Sequence, residues 1–198
     1  MSIKWIWIAM MLLCAYPCAA ENDRKGMTWG VAAHDNQHEI DLVACAGKPQ
    51  IEGKKQCDPI KGDTSCSVAL PILCIKPDES PRPNYAMTGQ AHAMPAAYYR
   101  GWAGGRIGLT EPMQGKTIES LKAANTACAM ALGEGYRMAE FHDGKYIKGM
   151  GSEKYYGDTW PLTSSLSSGG WAWYAYGNVN NERRFWVSIN DQSGNCWN

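Results

Sequence analysis

Three side chains that could move protons or hold a metal ion lie within four residues of one another. Glu140, His142 and Asp143 occur in the segment E-F-H-D, at the end of a stretch that alternates like a β-strand. Alternation places Glu140 and His142 on one face, where a carboxylate beside an imidazole can serve acid–base catalysis. The same pattern also fits a hydrogen-bonded structural group. A hydrolase or metal-dependent enzyme is therefore the alternative function, and the sequence as a whole favours a non-catalytic protein.

The adjacent pair Asn190 and Asp191 follows the last predicted strand. An amide carbonyl and a carboxylate are hard oxygen ligands of the kind that Ca²⁺ prefers, and Ca²⁺ takes about six to eight of them. The run N-D-Q-S-G is equally typical of a plain turn. The pair predicts either a calcium site or a turn, and no other cofactor is expected.

The segment H-D-N-Q-H-E contains two further imidazoles, His34 and His38. On a helix these two side chains would share a face, as zinc ligands must. The order differs from H-E-x-x-H, and Gly30 and Asn36 weaken a helix here. The segment favours a solvated polar stretch, with a metal site as the alternative.

Aromatic side chains suggest a different kind of site. The chain has nine Trp and ten Tyr against two Phe, and Trp and Tyr combine apolar area with a polar tip. Sugar rings can stack on such side chains, although alternate members of a strand could instead fill the core. The predicted ligand-binding residues are Trp160, Trp171, Trp173, Tyr176, Asn190 and Asp191, with Tyr174, Trp186 and Trp197 as further members of the aromatic set.

One predicted helix and a few strands must position these residues. Thr117 is the expected N-cap, and Gly133 ends the helix. The apolar spacing turns Cys128 toward the core. The predicted strands are 106–110, 136–141, 171–176 and 184–189, with the last two paired as a hairpin and a long exposed loop at 145–170. The sequence thus predicts an α+β fold with a small mixed sheet, one main helix and long loops.

The first twenty residues have the pattern of a secretory signal. Lys4 precedes an apolar run, and small residues lead to a cleavage site near Ala20. The run is too short to span a bilayer, so the protein is expected to be secreted or periplasmic rather than transmembrane. A lipid anchor at Cys14 or Cys18 is the alternative.

The rest of the chain divides by composition. Residues 21–85 are expected to form an irregular, disulfide-stapled segment with short strands at 39–45 and 67–75. Residues 86–105 follow as a Pro-containing linker, and residues 106–198 form the main domain. The formal net charge is zero and no basic block occurs, which excludes nucleic acid as a partner.

Six of the eight cysteines lie after residue 20, and an even number in an exported chain indicates disulfides. Six cysteines allow 15 connectivities. A zinc site is the alternative for the first four, although no C-x-x-C pair occurs. The six are Cys45, Cys57, Cys66, Cys74, Cys128 and Cys196.

Residues 106–198 resemble the C-type-lectin-like and endostatin-like superfamily. The resemblance lies in the strand segment I-G-L-T-E-P-M-Q-G, the helix segment A-N-T-A-C and the following G-Y-R-M-A-E-F. In that superfamily the helix cysteine bonds a cysteine in the last strand. The resemblance implies a Cys128–Cys196 disulfide, which is the pairing we favour, with the other four cysteines paired among themselves.

The whole chain also resembles a family of uncharacterised bacterial secreted proteins. The matching segments include Y-R-G-W-A-G-G-R-I-G-L-T and R-F-W-V-S-I-N-D-Q-S-G-N-C-W. This resemblance implies export and carries no activity. The expected function is a secreted binding or adhesion module that recognises a glycan or protein surface through residues 145–170 and exposed Trp and Tyr. An envelope-associated structural protein is a further alternative.

Overall fold

The structure is a computed structural model. The predicted signal at 1–20, the loop at 145–170 and Trp160 lie outside the residues that it describes. The described residues are 24–51, 53, 56–81, 101–144, 171–179 and 182–198, together with the backbone of 87–89 and 92–94.

One helix and a set of mostly short strands make up the described fold. Helix α1 spans Leu121–Leu132, and a 3₁₀ turn at Gly115–Thr117 precedes it. The strands, in chain order, are β1 (Lys25–Gly26), β2 (Thr28–Asp35), β3 (Ile40–Ala44), β4 (Thr64–Ser65), β5 (Ala69–Leu70), β6 (Leu73–Pro77), β7 (Met87–Gly89), β8 (His92–Met94), β9 (Gly101–Leu109), β10 (Met113–Gln114), β11 (Arg137–Met138), β12 (Ala172–Tyr176) and β13 (Phe185–Trp186).

A seven-stranded mixed sheet organises these elements. Its strand order is β11-β6-β9-β12-β3-β2-β13, and β12 runs parallel to β9 while the other neighbours are antiparallel. Strands from both sides of the expected boundary near residue 85 enter this sheet, and β9 begins inside the range expected to be a linker. The α+β class with a mixed sheet and one helix is confirmed.

The predicted hairpin between the last two strands is wrong. β12 lies between β3 and β9 and is separated from β13 by two strands. β12 pairs with β3 along its whole length, from Ala172 opposite Ala44 to Tyr176 opposite Ile40. Both faces of β12 are buried in this position, and this explains why an interior place is preferred to an edge hairpin.

The N-terminal part is more regular than expected. β3 confirms the strand expected at 39–45, but β2 was not predicted, and the strand expected at 67–75 is divided between β5 and β6. Pro71 lies between the two pieces, and proline cannot donate a ladder hydrogen bond. This part supplies β2, β3 and β6 to the central sheet.

Helix α1 begins later than predicted. Ser120, and not Thr117, is the N-cap, since its hydroxyl accepts a hydrogen bond from the Ala123 backbone N–H at 3.1 Å. Gly133 ends the helix with a φ of 105°, which glycine adopts without strain. The helix packs over Gly108 of β9, where a Cβ atom would come within 2.8 Å of the Leu132 side chain.

All six cysteines form disulfides, but the favoured pairing is wrong. Cys128 bonds Cys74 of β6, and Cys196 bonds Cys66. The prediction that Cys128 faces inward is confirmed, because its side chain is fully buried. Cys128 packs against strand β6, which comes from the N-terminal part of the chain. The Cys128–Cys196 bond implied by the resemblance does not form. The third disulfide is Cys45–Cys57.

The disulfides also rule out the zinc alternative for the first four cysteines, since every sulfur is bonded to another sulfur. Three disulfides are consistent with a secreted or extracellular protein. Within the described ranges, no helix has the length and apolar character needed to cross a membrane.

Candidate functional site

Two segments distant in sequence place the polar candidates side by side. Glu140 forms an isolated parallel bridge with Ser188. The Phe141 backbone N–H donates to the Ser188 carbonyl at 2.9 Å, and the Ser188 N–H donates to the Ala139 carbonyl at the same distance. This bridge brings the E-F-H-D segment next to the turn that begins at Asn190.

The Glu140 carboxylate holds the imidazole of His142 in one orientation. Nδ1 of His142 lies 3.1 Å from Oε1 of Glu140, and the His142 backbone N–H donates to Oε2 at 2.6 Å. Because an ionised carboxylate only accepts, Nδ1 carries the proton of this bond. The other ring nitrogen, Nε2, is left for a further partner.

Asp191 provides a second carboxylate on the far side of the same ring. Its Oδ2 atom lies 3.9 Å from Nε2 of His142, too far for a direct hydrogen bond. The Asn190 backbone N–H donates to Glu140 Oε1 at 3.3 Å, and this contact ties the turn to the His142 segment. Below the turn, the Asn195 side chain bonds both the N–H and the carbonyl of Ile189.

Arg137 and Asp143 form an ion pair that supports this arrangement. The Arg137 guanidinium donates to both carboxylate oxygens of Asp143, and the Glu140 backbone N–H donates to Asp143 Oδ2 at 2.7 Å. Burial alone would lower the pKa of Arg137, but the hydrogen bonds and charge of Asp143 raise it. This guanidinium therefore remains charged, and the pair fixes the turn that carries His142.

The surrounding charges also set the protonation of His142. Burial would lower its pKa, but the hydrogen bond to Glu140 and the charges of Glu140 and Asp191 outweigh burial and raise the pKa above its usual value. The His142 side chain is only 10% exposed, whereas that of Asp191 is 43% exposed. The imidazole is thus a largely buried group, and among the described residues its Nε2 atom faces only the Asp191 carboxylate, at 3.9 Å.

A cleft of about 380 Å³ opens beside this group. Asn125 of helix α1 borders it and ties the helix to β11, since its Oδ1 accepts a hydrogen bond from the Met138 N–H at 2.9 Å. Asn125 and Arg137 were not predicted as site residues, and only the folded helix reveals their position. The lining residues are Leu121, Asn125, Arg137, Met138, Glu140, His142, Asp143, Ser188 and Asn190.

The residues predicted to bind calcium, Asn190 and Asp191, belong to one turn at the surface. Both are exposed on a bend, which agrees with the turn alternative. Among the residues that the structure describes, no group of three or more His, Cys, Asp or Glu side chains is placed to hold a metal ion.

The predicted aromatic platform is divided between core and surface. Trp173 is 0% exposed and packs in the main core, and this burial corrects the expectation that it binds a ligand. Tyr176 packs with Trp102 in a separate cluster that also holds Tyr174. Trp186 is also buried. Trp171 and Tyr176 therefore do not form one continuous surface.

Trp171 is joined to the turn that carries His142 through Phe141. Its ring lies edge-on to Phe141 at 5.2 Å, and the Phe141 ring lies 4.9 Å from the His142 ring.

His34 and His38 lie away from this site, and each pairs with a carboxylate of its own. His34 is in strand β2 rather than a helix, and its Nδ1 lies 2.7 Å from Oδ1 of Asp41. His38 pairs with Asp35 at 2.9 Å. Burial raises the pKa of Asp41 to about 6. Asp41 also accepts a hydrogen bond from the Val179 N–H at 2.8 Å, so this group joins the β2–β3 hairpin to the end of β12.

Comparison with known proteins found no match. No family model fits the chain, and neither a curated protein nor a solved structure was found to be similar to it.

Proposed function

We propose that the chain is an exported binding module that takes a glycan or a polar protein surface in the cleft beside His142. The observation that carries this proposal is the convergence of three segments: helix α1, the turn after β11 and the turn at Asn190. Helix α1 and the turn after β11 contribute side chains that the fold holds in place, Asn125 and His142, and the third segment contributes the exposed amide of Asn190. Preorganised polar groups lose little freedom when a ligand binds.

The polar atoms that remain open to the cleft suit hydroxyl groups. Asn125 uses its Oδ1 atom within the fold, so its amide N–H₂ can donate to a ligand. His142 keeps Nε2 open, and the Asn190 side chain is exposed at the rim. Amide and imidazole groups donate to and accept from hydroxyls. This inventory favours a glycan over a purely apolar partner.

The order of strand β9, helix α1 and strand β11 also supports a relationship of the proposed module to C-type-lectin-like domains. In that superfamily, too, a helix lies between two strands of the domain, and loops display the ligand site. The Cys74–Cys128 bond counts against the relationship, because the helix cysteine there bonds the last strand.

A glycan array and a protein-partner screen with the purified protein test this proposal. Asn190→Ala is the informative variant, since it removes a cleft amide without disturbing a described side-chain contact. Asn36→Ala, at the exposed β2–β3 turn, is the matched control. The proposal expects ligands whose binding weakens in Asn190→Ala and not in Asn36→Ala. Ligands that bind both variants equally would place the site elsewhere.

A hydrolase is a second candidate, favoured by the Glu140–His142 contact. A carboxylate that orients Nδ1 leaves Nε2 as a general base toward the cleft. Turnover of glycosidic, ester or peptide substrates that is lost in His142→Asn would support this candidate. Turnover that persists in this variant would exclude His142 as the base.

A further inference from the structure

Among the described residues around His142, negative charge exceeds positive charge. The carboxylates of Glu140, Asp143 and Asp191 all act on the His142 ring. The guanidinium of Arg137 is paired with Asp143 and neutralises that carboxylate. When the His142 ring is neutral, the charges of Glu140 and Asp191 remain, so an anionic ligand would be repelled and a cationic group attracted.

Nε2 of His142 and Oδ2 of Asp191 face each other, and both are hydrogen-bond acceptors when the His142 ring is neutral. Nδ1 holds the ring proton in its bond to Glu140, so Nε2 presents a lone pair. The facing atom is Oδ2 of Asp191, 3.9 Å away. Within the described part of the chain, neither atom has a hydrogen-bond donor from the protein.

One nitrogen can satisfy both acceptors. An atom about 2.9 Å from each, the usual N–H···O distance, fits between acceptors that are 3.9 Å apart. A hydroxyl has a single proton and can serve one of them, whereas a primary ammonium has three N–H donors and can serve both. The positive charge of the ammonium also matches the surplus of carboxylates.

We propose that a primary ammonium group binds at the edge of the cleft, between Nε2 of His142, which lines the cleft, and the exposed carboxylate of Asp191. This inference rests on the proposed binding function and specifies its ligand chemistry. The His142 side chain, nine-tenths buried and fixed at Nδ1, provides the rigid acceptor. Asp191, on the exposed turn, provides the charge. An amino sugar and a lysine side chain both carry this group.

Protonation of His142 competes with such a ligand. A proton on Nε2 removes the acceptor and places a positive charge against the ammonium. Of the residues that the structure describes, the charged groups that act on the ring are Glu140, Asp143 and Asp191, with Arg137 paired to Asp143. Binding of an amine is therefore expected to strengthen as the pH rises above the pKa of His142.

NMR titrations with paired probes test the inference. Glucosamine is compared with glucose and N-acetylglucosamine, and Nα-acetyl-lysine amide with its Nε-acetylated form. The inference expects cleft residues to shift with the free amines, and at least about tenfold weaker binding for the acetylated or amine-free partners. The two probe series distinguish a sugar amine from a lysine amine as the preferred source.

Asp191→Asn is the diagnostic variant, and Glu134→Gln is its control for loss of one exposed carboxylate. Asp191→Asn should abolish the preference for the free amine, and Glu134→Gln should retain it. A preference that survives Asp191→Asn overturns the inference. If glucose and N-acetylglucosamine bind in the cleft as well as glucosamine does, the binding function stands and the ammonium inference fails. If no probe shifts the cleft residues, the ammonium inference fails, and the glycan array and the partner screen decide the binding function.

Discussion

Nδ1 of His142 lies 3.1 Å from Oε1 of Glu140, and the same carboxylate accepts the backbone N–H of His142. One acidic side chain therefore fixes both the ring and the backbone of the residue that follows it by two positions. The Asn190 N–H donates to this carboxylate as well. Glu140 thus links the turn that carries His142 to the turn at Asn190.

The Glu140→Gln variant is expected to lower the pKa of His142. The folded-state pKa of His142 is raised, so its contribution to stability is present below the usual value of 6.5 and is lost as the pH rises through the raised pKa. Glu140→Gln should therefore destabilise the protein more at pH 5 than at pH 9. An NMR titration of the ring, together with chemical unfolding at both pH values, measures the two effects. An unchanged His142 titration would contradict this account.

The ionised, buried side chain of Asp41 is expected to lower the free energy of unfolding at neutral pH. Its side chain is 0% exposed, and burial raises its pKa from 3.8 to about 6. The folded state then holds a proton that the unfolded chain releases, so the stability linked to this proton is lost as the pH rises from 4 to 7. The free energy of unfolding of Asp41→Asn, measured relative to that of the wild type, should therefore rise by about 2 to 3 kcal/mol between pH 4 and pH 7. If the difference in unfolding free energy between Asp41→Asn and the wild type does not change with pH, the pKa of Asp41 is not raised.

Peptide mapping of the non-reduced protein should find Cys45–Cys57, Cys66–Cys196 and Cys74–Cys128. The Cys74–Cys128 bond closes a separation of 54 residues, and removing it as a Cys74→Ala/Cys128→Ala double variant should cost about 4 kcal/mol of unfolding free energy. A cross-linked peptide that joins Cys128 to Cys196 would refute this pairing and restore the one implied by the C-type-lectin-like resemblance.

Arg184 is expected to be a major structural contact. Its buried guanidinium donates to the carbonyls of Thr28, Cys45, Gly47 and Pro49. Arg184→Met would leave these acceptors without a donor and should destabilise the protein by about 3 kcal/mol or more.

The neighbouring Arg183 is exposed, and Arg183→Met should change stability by no more than about 0.5 kcal/mol. Urea unfolding of both variants provides the comparison. Equal losses of unfolding free energy in the two variants would mean that the Arg184 hydrogen bonds contribute little to stability.

Local patterns in the sequence predicted the local structure well. Apolar spacing predicted helix α1 and the inward position of Cys128. Strand β2 was missed, because its T-W-G-V-A-A-H-D run mixes small and large residues without alternation. A strand with little periodicity gives no clear local signal.

Long-range partners could not be predicted in the same way. The favoured disulfide and the expected hairpin both assumed partners within the C-terminal part, whereas Cys74 and β3 come from the N-terminal part. The site depends on the bridge between Glu140 and Ser188. The sequence indicated the Glu140–His142 pair and Asp191 separately, and only this bridge makes Asp191 a neighbour of the pair.

The most direct test of the His142 cleft as the ligand site is a long-range ¹H–¹⁵N NMR titration of the His142 ring with the strongest ligand from the binding screen. The Nε2 resonance should shift and saturate with the dissociation constant measured by calorimetry, while Nδ1 keeps its proton bonded to Glu140. A ligand that saturates the protein while both ring nitrogens of His142 stay unchanged would contradict the account.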